Sequence, residues 1–255
     1  MGYKANRRVE TSAKTFALIE RLQEAGPTGI SEIADDLEMS KGIVHNHIST
    51  LRELGYVIKI GERYQLSAKL FSTGWHVRNR SELYQFSHSE IKQVTRRLGT
   101  AAFLFAPVNR EGVVLSTYGP EPSPIPPTGT VMTLSSCLAG NAILATYPPS
   151  QIPAVSELET QSDRYDGEEV REQLATGGSA IGPLAQTNPV RSVVVPVLDT
   201  NGDCRGSVVV VADGKNVETV QRATEALRRT AEDRFGNDWE SERSFATEKH
   251  SWFDN

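Results

Sequence analysis

The chain has 255 residues and a mass of 28.0 kDa, enough for roughly two domains of ~100–200 residues each. Hydrophobic residues make up 38% of it and charged residues 23%, which excludes a disordered or collagen-like chain, and no apolar run approaches the ~18 residues that span a bilayer. The net charge is −5, yet residues 1–80 hold 12 Lys and Arg against 9 Asp and Glu, while the remainder holds 15 against 23; basic character is confined to the N-terminal third. The two cysteines, Cys137 and Cys204, and a polar start without an apolar h-region point to a reducing cytoplasm rather than to secretion or a disulfide framework.

Phe16, Leu18, Ile19, Leu22 and Ala25 predict a first helix with these residues on its inner side, capped by Thr11 or Ser12 and ended by Gly26-Pro27. A short helix over 31–37, a turn at 38–40 and a third helix over 41–54 follow, the last capped by Ser40 and stopped by Gly55. Residues 56–60 and 63–66, joined by Gly61-Glu62, read as a hairpin. This order makes a winged helix-turn-helix. Residues 67–98 are helical and amphipathic with an interruption near Asn79, which gives a linker helix and then a domain-opening helix.

Alternating strands are expected over 101–107 and 113–118, then a loop over 119–129 that is too rich in proline for regular structure and must lie on the surface. A helix over about 136–147, a helical stretch near 167–176, a strong hairpin of 191–198 with 205–212 and a closing helix over about 216–235 complete the pattern. Residues 236–255 read as a mobile polar tail. The class is α+β, with an antiparallel sheet and helices on one face of it. The expected division is a winged helix-turn-helix over 1–66, a linker helix over 67–80, a sensor-like domain over 81–235 and the tail.

On the third helix, Ile43, Val44, Ile48, Leu51 and Leu54 span an arc of about 140° that should be core. The opposite side carries Gly42, His45, Asn46, Ser49 and Arg52, with Lys41 at its margin and no carboxylate in the first three turns. That chemistry suits a major-groove reader: Asn bonds adenine N6 and N7 together, His and Ser donate or accept, and Lys and Arg neutralise phosphate. Gly42 lets the helix start approach the duplex. Ser40 at the helix start and Lys59 and Arg63 on the hairpin complete the candidate set for double-stranded DNA. His47 falls inside the apolar arc and reads as a packed or hydrogen-bonded histidine. A zinc site on His45 and His47 is rejected because residues i and i+2 point to different sides of a helix.

Residues Ile30-Ser-Glu-Ile-Ala34, Ser40-Lys-Gly-Ile-Val-His45, Leu51-Arg-Glu-Leu-Gly-Tyr-Val57 and Tyr64-Gln-Leu66 resemble the IclR family of transcriptional regulators. The second domain is similar to that family in Gly140-Asn-Ala-Ile-Leu-Ala145, in residues 190–199 and in residues 206–212. The resemblance implies a homodimer or dimer of dimers held through the N-terminal region and linker helix, and a GAF-like domain that binds a small effector, often an organic acid or aromatic compound. It places that effector near Ser135, Ser136, Cys137, Leu138, Ala139, Pro196, Val209 and Val211. The chain departs from the family at His45-Asn46-His47-Ile48, where His-Arg-Leu-Leu is common, and at Asn141, where Lys is usual. It departs again at Gln186-Thr187-Asn188, usually acidic, and at Val209 and Val211, usually serines.

A catalytic Cys137 at a helix N-terminus would need a base, and the second domain offers only His88 in its opening helix and His250 in its tail. No Gly-x-Ser-x-Gly, phosphate-binding loop, dinucleotide fingerprint or zinc spacing is present. The expectation is therefore a non-enzyme without metal or cofactor. Cys137 is read as a buried small hydrophobe, with pocket lining or redox pairing with Cys204 as alternatives. The expected sensor pocket lies between the proline-rich loop, the helix start at 135–139 and the strands at 195–197 and 209–211, with the helix N-terminus suited to a carboxylate. A ligand-independent regulator or architectural protein, whose second domain serves only protein contacts, remains the alternative.

Overall fold

The computed structural model describes residues 6–148, 167–185, 187–199, 201–212 and 214–237. The tail expected at 236–255 therefore lies almost wholly outside the described residues. The chain divides into two compact units, Ala5–Asn79 and one beginning at Arg80.

In the N-terminal unit, helices α1 (Glu10–Ala25), α2 (Ile30–Asp36) and α3 (Lys41–Glu53) precede strands β1 (Val57–Ile60) and β2 (Arg63–Leu66), and α4 (Lys69–Arg80) follows. The strands pair antiparallel with Val57 opposite Leu66 and Ile60 opposite Arg63, and Thr28 adds a bridge to Tyr64. Leu18, Leu22, Ile33, Val44, Ile48, Leu51, Val57 and Tyr64 form the core. Two helix faces are narrower than the sequence suggested. Phe16 is exposed, and neither Thr11 nor Ser12 caps α1, whose N-cap is Val9. At about 100° per residue, Phe16 stands roughly 115° from the centre of Leu18, Ile19 and Leu22. Ile43 and Leu54 likewise sit on the exposed rim of the α3 stripe centred on Val44, Ile48 and Leu51.

In the second unit, α5 (Glu82–Phe86), a π-helical turn (Ser87–Ile91) and α6 (Lys92–Leu98) run in succession; the interruption falls at Ser81, whose side chain caps α5. Strands β3 (Ala102–Val108), β4 (Glu111–Tyr118), β5 (Val131–Thr133), β6 (Ala180–Ala185), β7 (Asn188–Leu198) and β8 (Cys204–Val211) form one sheet in the order β5-β4-β3-β8-β7-β6. All neighbours in it are antiparallel. A 3₁₀ turn (Leu134–Ser136) leads into α7 (Leu138–Leu144), and helices Gly167–Gly177 and Val217–Asn237 complete the described elements.

The expectation of helices on one face is corrected: both faces are covered. Phe103, Phe105, Val114, Val194, Val209 and Val211 pack with α7 and Val170, while Ala102, Leu104, Val193, Val195, Val197, Val208 and Val210 pack with Phe86, Ile91 and the C-terminal helix. Unbroken apolar strands such as Val193-Val-Val-Pro-Val197 are what two-sided burial requires, since alternate side chains must suit a core on each side. Edge strands β5 and β6 were not anticipated. β6 contains Gly182 and Pro183, which argue against an inner strand but are tolerated at an edge.

Candidate functional sites

Helix α3 is held by its own N-cap: the backbone N–H of Ile43 donates to Ser40 Oγ at 3.3 Å. Ser40 is thus spent on capping. Its neighbours Lys41, Gly42, His45, Asn46, Ser49 and Arg52 are all exposed. The side chains of His45, Asn46 and Ser49 make no hydrogen bond to other described residues, so their donors and acceptors face outward. At Gly42 an added Cβ would meet nothing within 4 Å. Packing inside the chain therefore gives no reason for a glycine there. His47 is half-buried, and its Nδ1 stands 2.9 Å from Thr15 Oγ1, in hydrogen-bonding contact, in line with its reading as a structural histidine.

On the hairpin, Lys59 pairs with Glu62 at 3.2 Å and lies 5.9 Å from the centre of the Tyr64 ring, over which Arg52 also sits at 5.8 Å. Arg63 is committed elsewhere. Its guanidinium forks onto Glu32 at 3.0 and 3.2 Å and donates to the Pro27 carbonyl at 2.9 Å. The residue 31 positions upstream that claims it leaves no local trace in the sequence. Lys69, not singled out there, donates to the Leu54 carbonyl at 2.7 Å and covers Tyr56 at 4.6 Å, closing the C-terminal end of α3.

In the second unit, Ser135, Cys137, Leu138 and Ala139 are all buried, and the whole of α7 is buried with them. The helix starts two residues later than expected. Ser136 donates to the Thr133 carbonyl at 2.9 Å inside the 3₁₀ turn, and Cys137 is the N-cap, its Sγ accepting from Gly140 N at 3.4 Å. Neither serine caps α7. Ser135 Oγ is buried with no hydrogen-bond partner among the described residues. Asn141 is structural: its amide donates to the carbonyls of Leu134, Ser135 and Cys137 at 3.4, 3.0 and 2.9 Å. Gly140 is forced by close approach, because a Cβ there would run into the Leu134 main chain.

Register sorts the expected lining. Val209 and Val211 face α7, and Pro196, paired with Ser207, shares that face, since Ser207 Oγ donates to the Ala139 carbonyl at 2.8 Å. Val195 and Val197 face the opposite core. The proline-rich loop walls a different space, a cavity of about 720 Å³ bounded by α6, the end of β4 and residues 119–127. None of the eight expected effector residues lines it. Burial pushes the Cys204 thiol up to about 12, with help from the Asp199 carboxylate, so this thiol is held neutral. Among the described residues no three His, Cys, Asp or Glu side chains group as a metal site, and no helix is long and apolar enough to cross a membrane.

The model of the bacterial regulatory protein, arsR family, matches residues 17–59. The chain is 28% identical over 233 residues to the probable HTH-type transcriptional regulator ArcR of Halobacterium salinarum, which covers 86% of this chain and 89% of that protein. The solved IclR transcriptional regulator of Alicyclobacillus acidocaldarius superposes with a TM-score of 0.74 at 20% identity, over 88% of this chain and 97% of that one. An IclR homolog of Microbacterium hydrocarbonoxydans, complexed with 4-hydroxybenzoate, superposes with a TM-score of 0.67 at 15% identity, over 87% of this chain and 98% of that one.

Proposed function

We infer that this chain, which has the fold and domain order of the IclR-type transcriptional regulators, is a DNA-binding transcriptional regulator that acts as a two-fold dimer under the control of a small effector. The proteins it is matched with are transcriptional regulators rather than enzymes. The observation that carries the reading is the outer face of α3: Lys41, Gly42, His45, Asn46 and Ser49 are exposed, and Gly42 has no steric cause within the chain. A glycine in a helix costs up to about 1 kcal/mol against alanine, and close approach to a duplex supplies the missing reason. His45, Asn46 and Ser49 then read base edges, while Lys41, Arg52 and Lys59 contact phosphate. Arg63, tied to Glu32, acts on the hairpin first and on phosphate only through that pair.

Dimerisation is supported by apolar side chains left outside on two helices of the N-terminal unit: Val9 and Phe16 at α1, and Phe71, Trp75 and Val77 on α4. Phe71 and Trp75 stand one turn apart with their rings tilted and their centres 5.8 Å from each other, as an exposed apolar stripe. One recognition helix reads only a few base pairs, so two related by symmetry on an inverted repeat are needed.

We propose the α7 face for the effector: the unpartnered Ser135 hydroxyl lies just before α7, Val209 and Val211 pack beneath that helix, and an organic acid with an apolar body suits such a lining. The complete burial of Leu138–Leu144 favours a second reading, in which the domain is closed and serves only protein contacts. Genome-wide mapping of bound sites, followed by anisotropy titration of a recovered site against its scrambled sequence, tests the regulator. Binding tighter by about 10³ or more on the recovered site is expected; equal affinities overturn it. A thermal-shift screen of aromatic and aliphatic acids separates the effector reading, which raises the melting temperature, from the closed-domain reading, which does not.

A further inference from the structure

The cavity beside the proline-rich loop is lined by cations that no described residue neutralises. Lys92 and Arg96, neighbours one turn apart on α6, line it without an ion-pair partner among the described residues. Lys215 adds a third cation at its edge: its Nζ would lie 3.8 Å from a Cβ built on Gly99, which also lines the space. The only acidic side chain among the lining residues is Glu121.

A second observation is independent of charge. Ser123 Oγ, on the loop wall, is buried and has no hydrogen-bond partner among the described residues. A buried hydroxyl left unpaired costs about 1–3 kcal/mol, which a ligand oxygen at that wall would relieve.

The wall is also built in advance. Ile125 is anchored in the core, Asn188 Nδ2 donates to the Pro124 carbonyl at 2.9 Å, and Gly129 N donates to the Val114 carbonyl at 2.8 Å. Proline rings fix φ, so the loop gives up little freedom when something binds against it. Tyr118, Ile125 and the proline rings supply apolar surface for a short carbon body.

We propose that this cavity binds a small dianion, a phosphate monoester or a dicarboxylate, with Lys92 and Arg96 neutralising its charge and Ser123 Oγ hydrogen-bonding one of its oxygens. The site is separate from the α7 face and does not depend on an effector binding there. It is tested by calorimetric titration of the full chain at an ionic strength of about 0.01 M, where the Debye length is about 30 Å, with glycerol 3-phosphate, succinate and propionate as probes. One dianion is expected to saturate a single site per chain at least about tenfold more tightly than propionate; the phosphate and dicarboxylate arms tell which anion chemistry is read. A Lys92→Gln, Arg96→Gln double variant, its fold checked by circular dichroism, should weaken that binding by about tenfold or more, Ser123→Ala by less, and Ser136→Ala not at all. No saturable binding of either dianion, or equal binding by the wild type and the double variant, overturns the proposal. DNA titrations run alongside report on α3 and are unaffected by either outcome.

Discussion

Asn46 and Gly42 share the outer face of α3, and their substitutions are expected to move stability and DNA binding in different ways. Asn46→Ala removes a side chain with no described partner, so folding is unchanged, while binding to the recovered site weakens by about 1–3 kcal/mol and random DNA is bound as before. Equal losses on both would place Asn46 on the backbone rather than on a base. Gly42→Ala introduces a Cβ into open space at a helical position. It should raise stability by about 0.5 kcal/mol and yet weaken DNA binding, a split readable by pairing denaturation with anisotropy. At the opposite extreme of exposure, Cys204 titrates far above the ordinary thiol value near 9, at about 12, because it is buried. Its folded state keeps a proton that the unfolded chain has released, so stability is full below pH 9 and falls as pH rises toward 12, by up to about 1.4 kcal/mol per pH unit. Burial also raises Tyr147, which adds to the loss at the alkaline end. A Cys204→Ala variant should show a shallower alkaline decline in urea denaturation.

The elements fall where sequence periodicity is strong and local. Helix α3, its Ser40 cap and the β1–β2 hairpin match the reading within a residue or two, because cap, turn and stripe are fixed by neighbours in sequence. Helix α7 is different. Its start is set by Asn141 reaching back to three carbonyls and by Gly140 lying against Leu134, and no periodic signal encodes either contact. Replacing Asn141 by Ala leaves those carbonyls short of a donor inside the core, and a loss of about 2–3 kcal/mol is expected in chemical denaturation. The family's customary lysine would bring an ammonium to a position only 4% exposed, so Asn141→Lys should destabilise at least as much. This makes Asn141 a support of the turn before α7, with its amide nitrogen already engaged and not free for a ligand's charge.

For the whole molecule, the exposed stripe of Phe71 and Trp75 is the feature most at odds with an isolated chain in water. Phe71→Ser with Trp75→Ser should leave each unit folded, since neither residue belongs to the core of the N-terminal unit. Light scattering at micromolar concentration should then report a mass nearer the 28.0 kDa of one chain, and affinity for the inverted repeat should drop with it. A wild type that is already monomeric under the same conditions would remove the dimer from the reading.

Sequence by itself determined the parts that depend on short-range chemistry: the winged helix-turn-helix, the polar outer face of α3 with no carboxylate in its first three turns, the structural role of His47, the late hairpin and the α+β class. Each rests on caps, turns and spacings a few residues long, which need no distant partner. Tertiary structure decided the rest. It covered both faces of the sheet, left Phe16 outside, and gave Arg63 to Glu32 across 31 positions. It also turned Val195 and Val197 away from Val209 and Val211, and opened the cavity beside the proline-rich loop toward α6, away from the eight expected effector residues. Those outcomes depend on which surfaces meet after the chain has folded back on itself, and a pair of residues far apart in sequence carries no local mark of its future neighbour.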